Sequence, residues 1–196
     1  MNINLRQLVV NVTFTGLFLF LLAGCKISTH DEKGRESKDV DIRTPLGSLS
    51  VHSGPGDPKE TGLALYPGAQ VRTSGDDGDS GANVNISSSI FGMKLAVLKY
   101  QSSDPPEKVL DFYRKEMSRY GKVIDCKGGF NMTFHHHDRD TEVTCGDHEG
   151  PNPHDYKQEL KVGTENNQRI IAVKPSGNGT DFVMLYVRAR DEKDTM

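Results

Sequence analysis

The chain has 196 residues, of which 24 are basic and 27 acidic, and its formal net charge is −3. A nucleic-acid-binding surface is disfavoured, because phosphate recognition depends on clusters of lysine and arginine. The length is sufficient for one domain with a substantial hydrophobic core and a tether, and it is short for two domains.

The first 24 residues have the parts of a secretory signal peptide. Arg6 supplies the positive charge, residues 9 to 22 are mostly apolar, and Ala23 and Gly24 are small enough for a peptidase to approach the backbone. An uncleaved transmembrane helix is the alternative, since no charged residue falls between Arg6 and Lys26. Polar Asn11, Thr13 and Thr15 weaken that alternative.

Leu22-Ala23-Gly24-Cys25 ends this stretch and resembles the lipobox of bacterial lipoproteins. The resemblance implies that the Cys25 sulfur receives a diacylglyceryl group, that the chain is cut before Cys25, and that the new amino terminus can be acylated as well. The mature chain would then be anchored by lipid outside the cytosol. In such lipoproteins an aspartate after the cysteine often signals inner-membrane retention. Because Lys26 stands there, we expect the periplasmic leaflet of the outer membrane if the cell has two membranes.

Residues 25 to 43 are rich in charge and poor in aromatic side chains. This composition cannot bury a core, so it predicts a solvated, lipidated tether. A single domain is then expected over residues 44 to 190, followed by a disordered tail over residues 191 to 196. The domain contains a second polar loop at residues 74 to 81.

The turn at Leu65-Tyr66-Pro67-Gly68-Ala69 is the first clear local signal in the predicted domain. Proline followed by glycine is the preferred central pair of a type II turn, because proline fixes φ and glycine accepts a positive φ.

A helix is predicted over residues 105 to 120. Asp104 is the expected N-cap, Glu107 would close a capping box, and Gly121 would stop the helix. One apolar stripe about 100° wide faces the core; it consists of Val109, Leu110, Tyr113, Met117 and Tyr120.

Strands dominate the rest of the predicted domain. Residues 94 to 100 and 182 to 187 are apolar on both faces, which is typical of central strands. Residues 157 to 162 alternate charged and apolar side chains, which predicts a strand with one wet face. With a further strand at residues 169 to 173 and a hairpin turn at Asn178-Gly179, the C-terminal third is a three-stranded antiparallel meander. We therefore predict an α+β fold, mainly an antiparallel sheet with one amphipathic helix packed on one face.

The YPGA turn together with Asp111-Phe112-Tyr113-Arg114 resembles uncharacterised secreted or lipid-anchored bacterial modules that combine this turn with an FYR-bearing helix. The resemblance covers roughly residues 60 to 190. It implies a fold and no known activity.

Cys126 and Cys145 form an even pair in a chain expected to be exported. An oxidising compartment favours a disulfide between them, and two buried free thiols are the alternative. The absence of a CxxC motif disfavours thiol exchange chemistry.

His135 and His137 belong to a run of three histidines. In a strand they would share a face, so two imidazoles could hold zinc or copper with a further ligand. The alternative is an exposed hairpin rim without a metal, and no other cofactor is indicated.

No catalytic motif is recognisable. Gly78-Asp79-Ser80-Gly81 repeats the letters around the nucleophile of chymotrypsin-like proteases, but it falls in an acidic loop without the required structural context. The sequence therefore favours a non-catalytic binding or structural module of the cell envelope, whose partner is an envelope protein or another envelope component. The alternative is a metal-binding envelope protein that uses His135 and His137.

The predicted lipid attachment at Cys25 can be tested directly. Replacing Cys25 by serine removes the acylated sulfur, so we expect the Cys25→Ser chain to lose the lipid mass and either leave the membrane fraction or retain its signal peptide. Intact-mass measurement and membrane fractionation check this. Identical mass, processing and fractionation of the two chains would refute the anchor.

Overall fold

The computed structural model describes residues 26–31, 38–72, 81–88, 91–127, 141–145 and 156–191. In these residues the chain forms one antiparallel sheet and one α-helix, α1, Pro106–Met117, which confirms the α+β class and the mainly antiparallel sheet. The strands are β1 Lys26–Asp31, β2 Lys38–Thr44, β3 Gly47–Ser53, β4 Gln70–Val71, β5 Gly81–Ser88, β6 Phe91–Ser102, β7 Ile124–Lys127, β8 Gln158–Thr164, β9 Asn167–Ser176 and β10 Gly179–Asp191.

The strands follow the order β1-β2-β3-β5-β6-β10-β9-β8-β7, and β4 pairs with β6 beside this path. The predicted C-terminal meander is β8, β9 and β10, and the two stretches expected to be central strands are the adjacent β6 and β10.

β1 and most of β2 lie within residues 25 to 43, which we expected to form a solvated, lipidated tether. They pair with each other, and β2 pairs with β3, which places Val40 opposite Val51 and Ile42 opposite Leu49. The apolar residues of β2 are two positions apart, so they share one face of the sheet. This alternation was not recognised in the sequence because charged residues dominate the segment. The pairing of β2 with β3 shows that the sheet begins before residue 44.

Alternate residues of four neighbouring strands form one face of the sheet, which we call the first face. Leu98, Met184, Ile171 and Leu160 are in register across β6, β10, β9 and β8. They share a buried cluster with four residues of α1, and these four belong to the stripe predicted from the sequence; they are Val109, Leu110, Tyr113 and Met117.

The strand residues that alternate with those of the first face form the second face of the sheet. The central part of this second face is also buried. Val183, Leu185 and Ala172 are at most 5% exposed. Lys161 and Glu159 of β8 lie on this face at 2% and 0% exposure and form an ion pair with 3.0 Å between Nζ and Oε1. The expectation that these charges line a wet face is therefore wrong. Each charge is compensated by the other, which is the arrangement that buried charges need.

α1 begins differently from the prediction. Its N-cap is Pro105, and no side chain caps it. Asp104 instead accepts hydrogen bonds from the Tyr66 hydroxyl, at 2.7 Å, and from Lys108 Nζ, at 3.0 Å. After α1 a short 3₁₀ turn, Ser118–Tyr120, ends at Gly121, whose φ is 136°.

The β9–β10 turn lies one residue earlier than predicted, at Gly177 and Asn178, because Gly179 already pairs with Ser176. Gly177 has a φ of 59°, which suits glycine. A Cβ at Gly179 would lie 2.1 Å from the Ser102 carbonyl oxygen, so glycine allows β10 to approach β6 there.

A hydrogen bond and an aromatic contact connect the YPGA turn to α1. Gly68 has a φ of 77° and the Ala69 N–H donates to the Tyr66 carbonyl at 3.0 Å, as a type II turn requires. The Tyr66 N–H donates to the Tyr113 hydroxyl at 3.1 Å, and the Tyr66 ring meets Phe112 edge to face with 5.3 Å between centroids. Two of the FYR residues, Phe112 and Tyr113, thus contact Tyr66 of the YPGA turn directly.

Replacing Tyr113 by phenylalanine should lower the free energy of unfolding by about 1–3 kcal/mol. The substitution keeps the ring but leaves the buried Tyr66 N–H without its acceptor. Tyr100→Phe is the matched control, because the Tyr100 hydroxyl makes only a 3.5 Å contact with the Gly56 carbonyl. Chemical denaturation measures both. Equal losses in the two variants would contradict the role given to Tyr113.

Candidate functional site

A polar depression lies at the end of the sheet where β6 ends and β10 begins. Its volume is about 330 Å³, and we call it the distal depression. The YPGA turn, β4 and the β9–β10 turn complete its walls. It is lined by Gly68, Gln70, Gln101, Ser102, Ser103, Ser176, Asn178, Gly179, Thr180 and Asp181.

The lining is mostly uncharged and can both donate and accept hydrogen bonds. Gln70 pairs with Gln101, and Gln101 pairs with Asp181, so three polar side chains form a row across β4, β6 and β10. Gln70, Gln101 and Asn178 are exposed. Because an amide group offers donors and an acceptor together, this surface suits a ligand that presents both.

The one carboxylate in the lining is compensated. Asp181 Oδ2 lies 3.3 Å from Arg72 Nε, and the side chains are 8% and 23% exposed. The Arg72 N–H also donates to the Lys99 carbonyl at 3.0 Å, which continues the pairing of β4 with β6. The ion pair therefore leaves the depression without a strong net charge.

Hydrogen bonds around Asp104 hold the floor of the site in place. The Thr180 hydroxyl donates to the Asp104 carbonyl at 2.7 Å, and the Asp104 N–H donates to the Ser102 hydroxyl at 3.1 Å. With the Tyr66 and Lys108 bonds to its carboxylate, Asp104 connects the YPGA turn, α1 and two residues of the lining.

The pKa shifts of Tyr66 and Asp104 favour a structural role for this network over a catalytic one. Burial, and then the hydrogen bond to Asp104, raise the pKa of Tyr66 to about 12. The Tyr66 and Lys108 hydrogen bonds lower the pKa of Asp104. Near neutral pH the tyrosine therefore stays a donor and the aspartate a charged acceptor, whereas an acid–base catalyst needs a pKa near the working pH.

The two cysteines singled out in the sequence are joined. Cys126 of β7 and Cys145 form a disulfide with 5.3 Å between Cα atoms. Residues 141–145 run beside β8, where the Val143 N–H donates to the Gly163 carbonyl at 3.1 Å. The predicted pairing is confirmed, and it ties this segment to the β7 edge of the sheet.

The other predicted site residues, Cys25, His135 and His137, lie outside the described residues. Within the described ranges, no helix is both long enough and apolar enough to cross a bilayer. The same part of the chain contains no cluster of three or more histidine, cysteine, aspartate or glutamate side chains arranged to hold a metal.

Sequence reasoning missed the distal depression. Gln101, Ser102 and Ser103 follow the apolar run of β6 and could have marked a polar rim at the strand end. Their association with Gln70 and Asn178 depends on strand pairing, which a single strand does not reveal.

Comparison with known proteins gives no match to a family model, to a curated protein or to a solved structure.

The raised pKa of Tyr66 predicts how stability depends on pH. A group whose pKa is raised on folding stabilises the fold fully below its unfolded value near 10, and this contribution is lost as the pH rises towards about 12. The stability advantage of the wild type over Tyr66→Phe should therefore be constant at moderately alkaline pH and shrink above about pH 10.

Denaturation of both chains at about pH 8 to about pH 11 measures this difference. Burial also raises the pKa of Tyr100 and Tyr113, but those groups are common to both chains and cancel. Parallel pH profiles would contradict the Tyr66–Asp104 hydrogen bond.

Proposed function

We propose that this chain is a lipid-anchored protein of the bacterial cell envelope and a non-catalytic binding module. The lipid is attached to Cys25 after removal of residues 1 to 24, and α1 is packed on the first face of the sheet. The ligand is an extended segment of another envelope protein, taken up in the distal depression.

The position of the depression relative to the first described residue supports this proposal most strongly. Lys26, next to Cys25, pairs with Arg43 of β2, Arg43 pairs with Ser48 of β3, and the chain of pairings continues through Ser87 of β5 to Gly92 of β6. Lys26 therefore lies at the end of the sheet where β6 starts. The depression lies at the other end of the twelve-residue β6, about 40 Å away at about 3.4 Å per residue. An anchor at Cys25 would leave the depression facing away from the membrane.

The chemistry of the lining supports a peptide ligand. Backbone N–H and C=O groups need acceptors and donors, which the amides of Gln70, Gln101 and Asn178 supply together. The nearby ionisable groups Asp104 and Asp181 are already bonded to cationic or hydroxyl partners. These features favour binding over catalysis.

The second hypothesis from the sequence is zinc or copper held by His135 and His137. It falls on residues outside those described and stays a prediction. Metal analysis of tag-free wild type and His135→Ala protein tests it.

Photocrosslinking in the native envelope tests the binding site. A photoreactive amino acid at Asn178 should give a discrete product with one envelope protein, and the same probe at Lys115, an exposed position of α1, should not. Adding Gln101→Ala to the Asn178 probe should weaken binding about tenfold, because hydrogen bonds worth about 1.4 kcal/mol would be lost.

Gln101 is exposed, so its truncation should leave the fold intact, and a thermal melt checks this. Equal products from both probe positions, or a yield from Asn178 that does not depend on Gln101, would contradict the proposed site.

A further inference from the structure

Exposed apolar side chains gather at the end of the sheet opposite the distal depression. Four large apolar side chains are exposed in the described residues, and three of them lie at this end: Ile27 at 68%, Leu46 at 84% and Phe91 at 41%. The fourth, Leu65 at 37%, precedes the YPGA turn that lines the depression. Ile27, Leu46 and Phe91 therefore share one end of the sheet and are spread along its width.

Strand pairing explains why distant parts of the sequence meet here. Ile27 is the second residue of β1, Leu46 lies in the β2–β3 turn, and Phe91 is the first residue of β6. β1 and β6 are four strand spacings apart in the sheet, or about 20 Å at about 4.8 Å per spacing. We call this end, with Ile27, Leu46 and Phe91 at its margin, the apolar rim.

Cationic side chains border the rim in like-charged pairs. Lys26 lies directly opposite Arg43, and Lys94 lies directly opposite Arg188. Like charges in directly opposite positions repel each other, and an anion between them would relieve that repulsion. Glu60 lies 3.8 Å from Lys94, while Lys26, Arg43 and Arg188 are exposed.

Two shallow depressions open beside these cations. One, of about 590 Å³, contains Arg43 and the hydroxyls of Ser48 and Ser87, with Asp41 as its one carboxylate. The other, of about 200 Å³, contains Lys94 and Arg188. Arginine and lysine next to hydroxyl groups form hydrogen bonds to phosphate oxygens, so both depressions fit anionic lipid headgroups.

We infer that the apolar rim docks on an anionic lipid bilayer. Leu46 and Phe91 enter the boundary between headgroups and acyl chains, and the exposed Lys26, Arg43 and Arg188 contact the lipid phosphates. The inference rests on the lipid anchor proposed above, because Cys25 directly precedes Lys26 and would hold this end at the membrane. A second copy of the chain fits less well, since it would bring further cations against the same pairs.

The chain has no tryptophan, so a single introduced tryptophan reports its own surroundings. Leu46→Trp and Phe91→Trp place the reporter on the rim, and Leu65→Trp is the matched control at the opposite end. The full chain, processed and lipidated in the cell, is reconstituted into vesicles of phosphatidylcholine and phosphatidylglycerol with or without brominated acyl chains. Flotation first establishes that each protein is bound.

Bromine quenches tryptophan only at short range. For Leu46→Trp and Phe91→Trp we expect fluorescence to fall on the order of twofold in brominated vesicles, as insertion at the acyl boundary requires. For Leu65→Trp we expect no change. Adding Arg43→Gln and Arg188→Gln to Leu46→Trp should reduce the quenching, because the attraction to anionic headgroups is lost.

The outcomes separate the two proposals. Proteins that float with the vesicles but show equal quenching at all three positions, or none, overturn the docking surface while the anchor stands. Proteins that do not float overturn the anchor, and the docking surface with it. Circular dichroism of each variant confirms that the fold is retained before the comparison is made.

Discussion

The antiparallel pairing of β6 with β10 fixes the long axis of the molecule. The two strands are in register from Ser102 and Thr180 at one end to Phe91 and Asp191 at the other. Tyr100 and Phe182 lie opposite each other on this ladder and stack with 5.7 Å between ring centroids. A slip by one residue would move the side chains of one strand to the other face and remove those that pack against α1, so this packing holds the register. The distal depression and the apolar rim are therefore held apart by one ladder.

Asp104 connects the core to the depression. Its carboxylate accepts from Tyr66, whose backbone N–H is held by Tyr113 of α1, while its carbonyl accepts from Thr180 in the lining. Movement of α1 would therefore be transmitted to the YPGA turn and to the start of β10 through hydrogen bonds. Within the two short motifs, Phe112 and Tyr113 contact Tyr66, and Tyr66 is bonded to Asp104 beside the distal depression.

The sequence predicted features that depend on local chemistry and missed those that depend on assembly. The helix stripe, the type II turn at Pro67-Gly68 and the C-terminal meander follow from spacing and turn residues, and all three are present. β2 was not predicted because its charged residues indicated a solvated segment. Its pairing with β3 shows that Val40 and Ile42 share one face of the sheet. The charges of Lys161 and Glu159 indicated solvent, but their mutual ion pair allows burial. The distal depression was not predicted because it is formed where the ends of four strands meet, β4, β6, β9 and β10.

The central claim is that the bilayer contacts one end of the sheet and the binding site occupies the other. Gadolinium chelated to lipid headgroups speeds the relaxation of nearby backbone amides, so nuclear magnetic resonance of the lipidated chain in nanodiscs measures this arrangement along the whole ladder. The account predicts strong enhancement at Leu46 and Phe91 and little at Gly68 and Asn178. Uniform enhancement, or the reverse gradient, would contradict it.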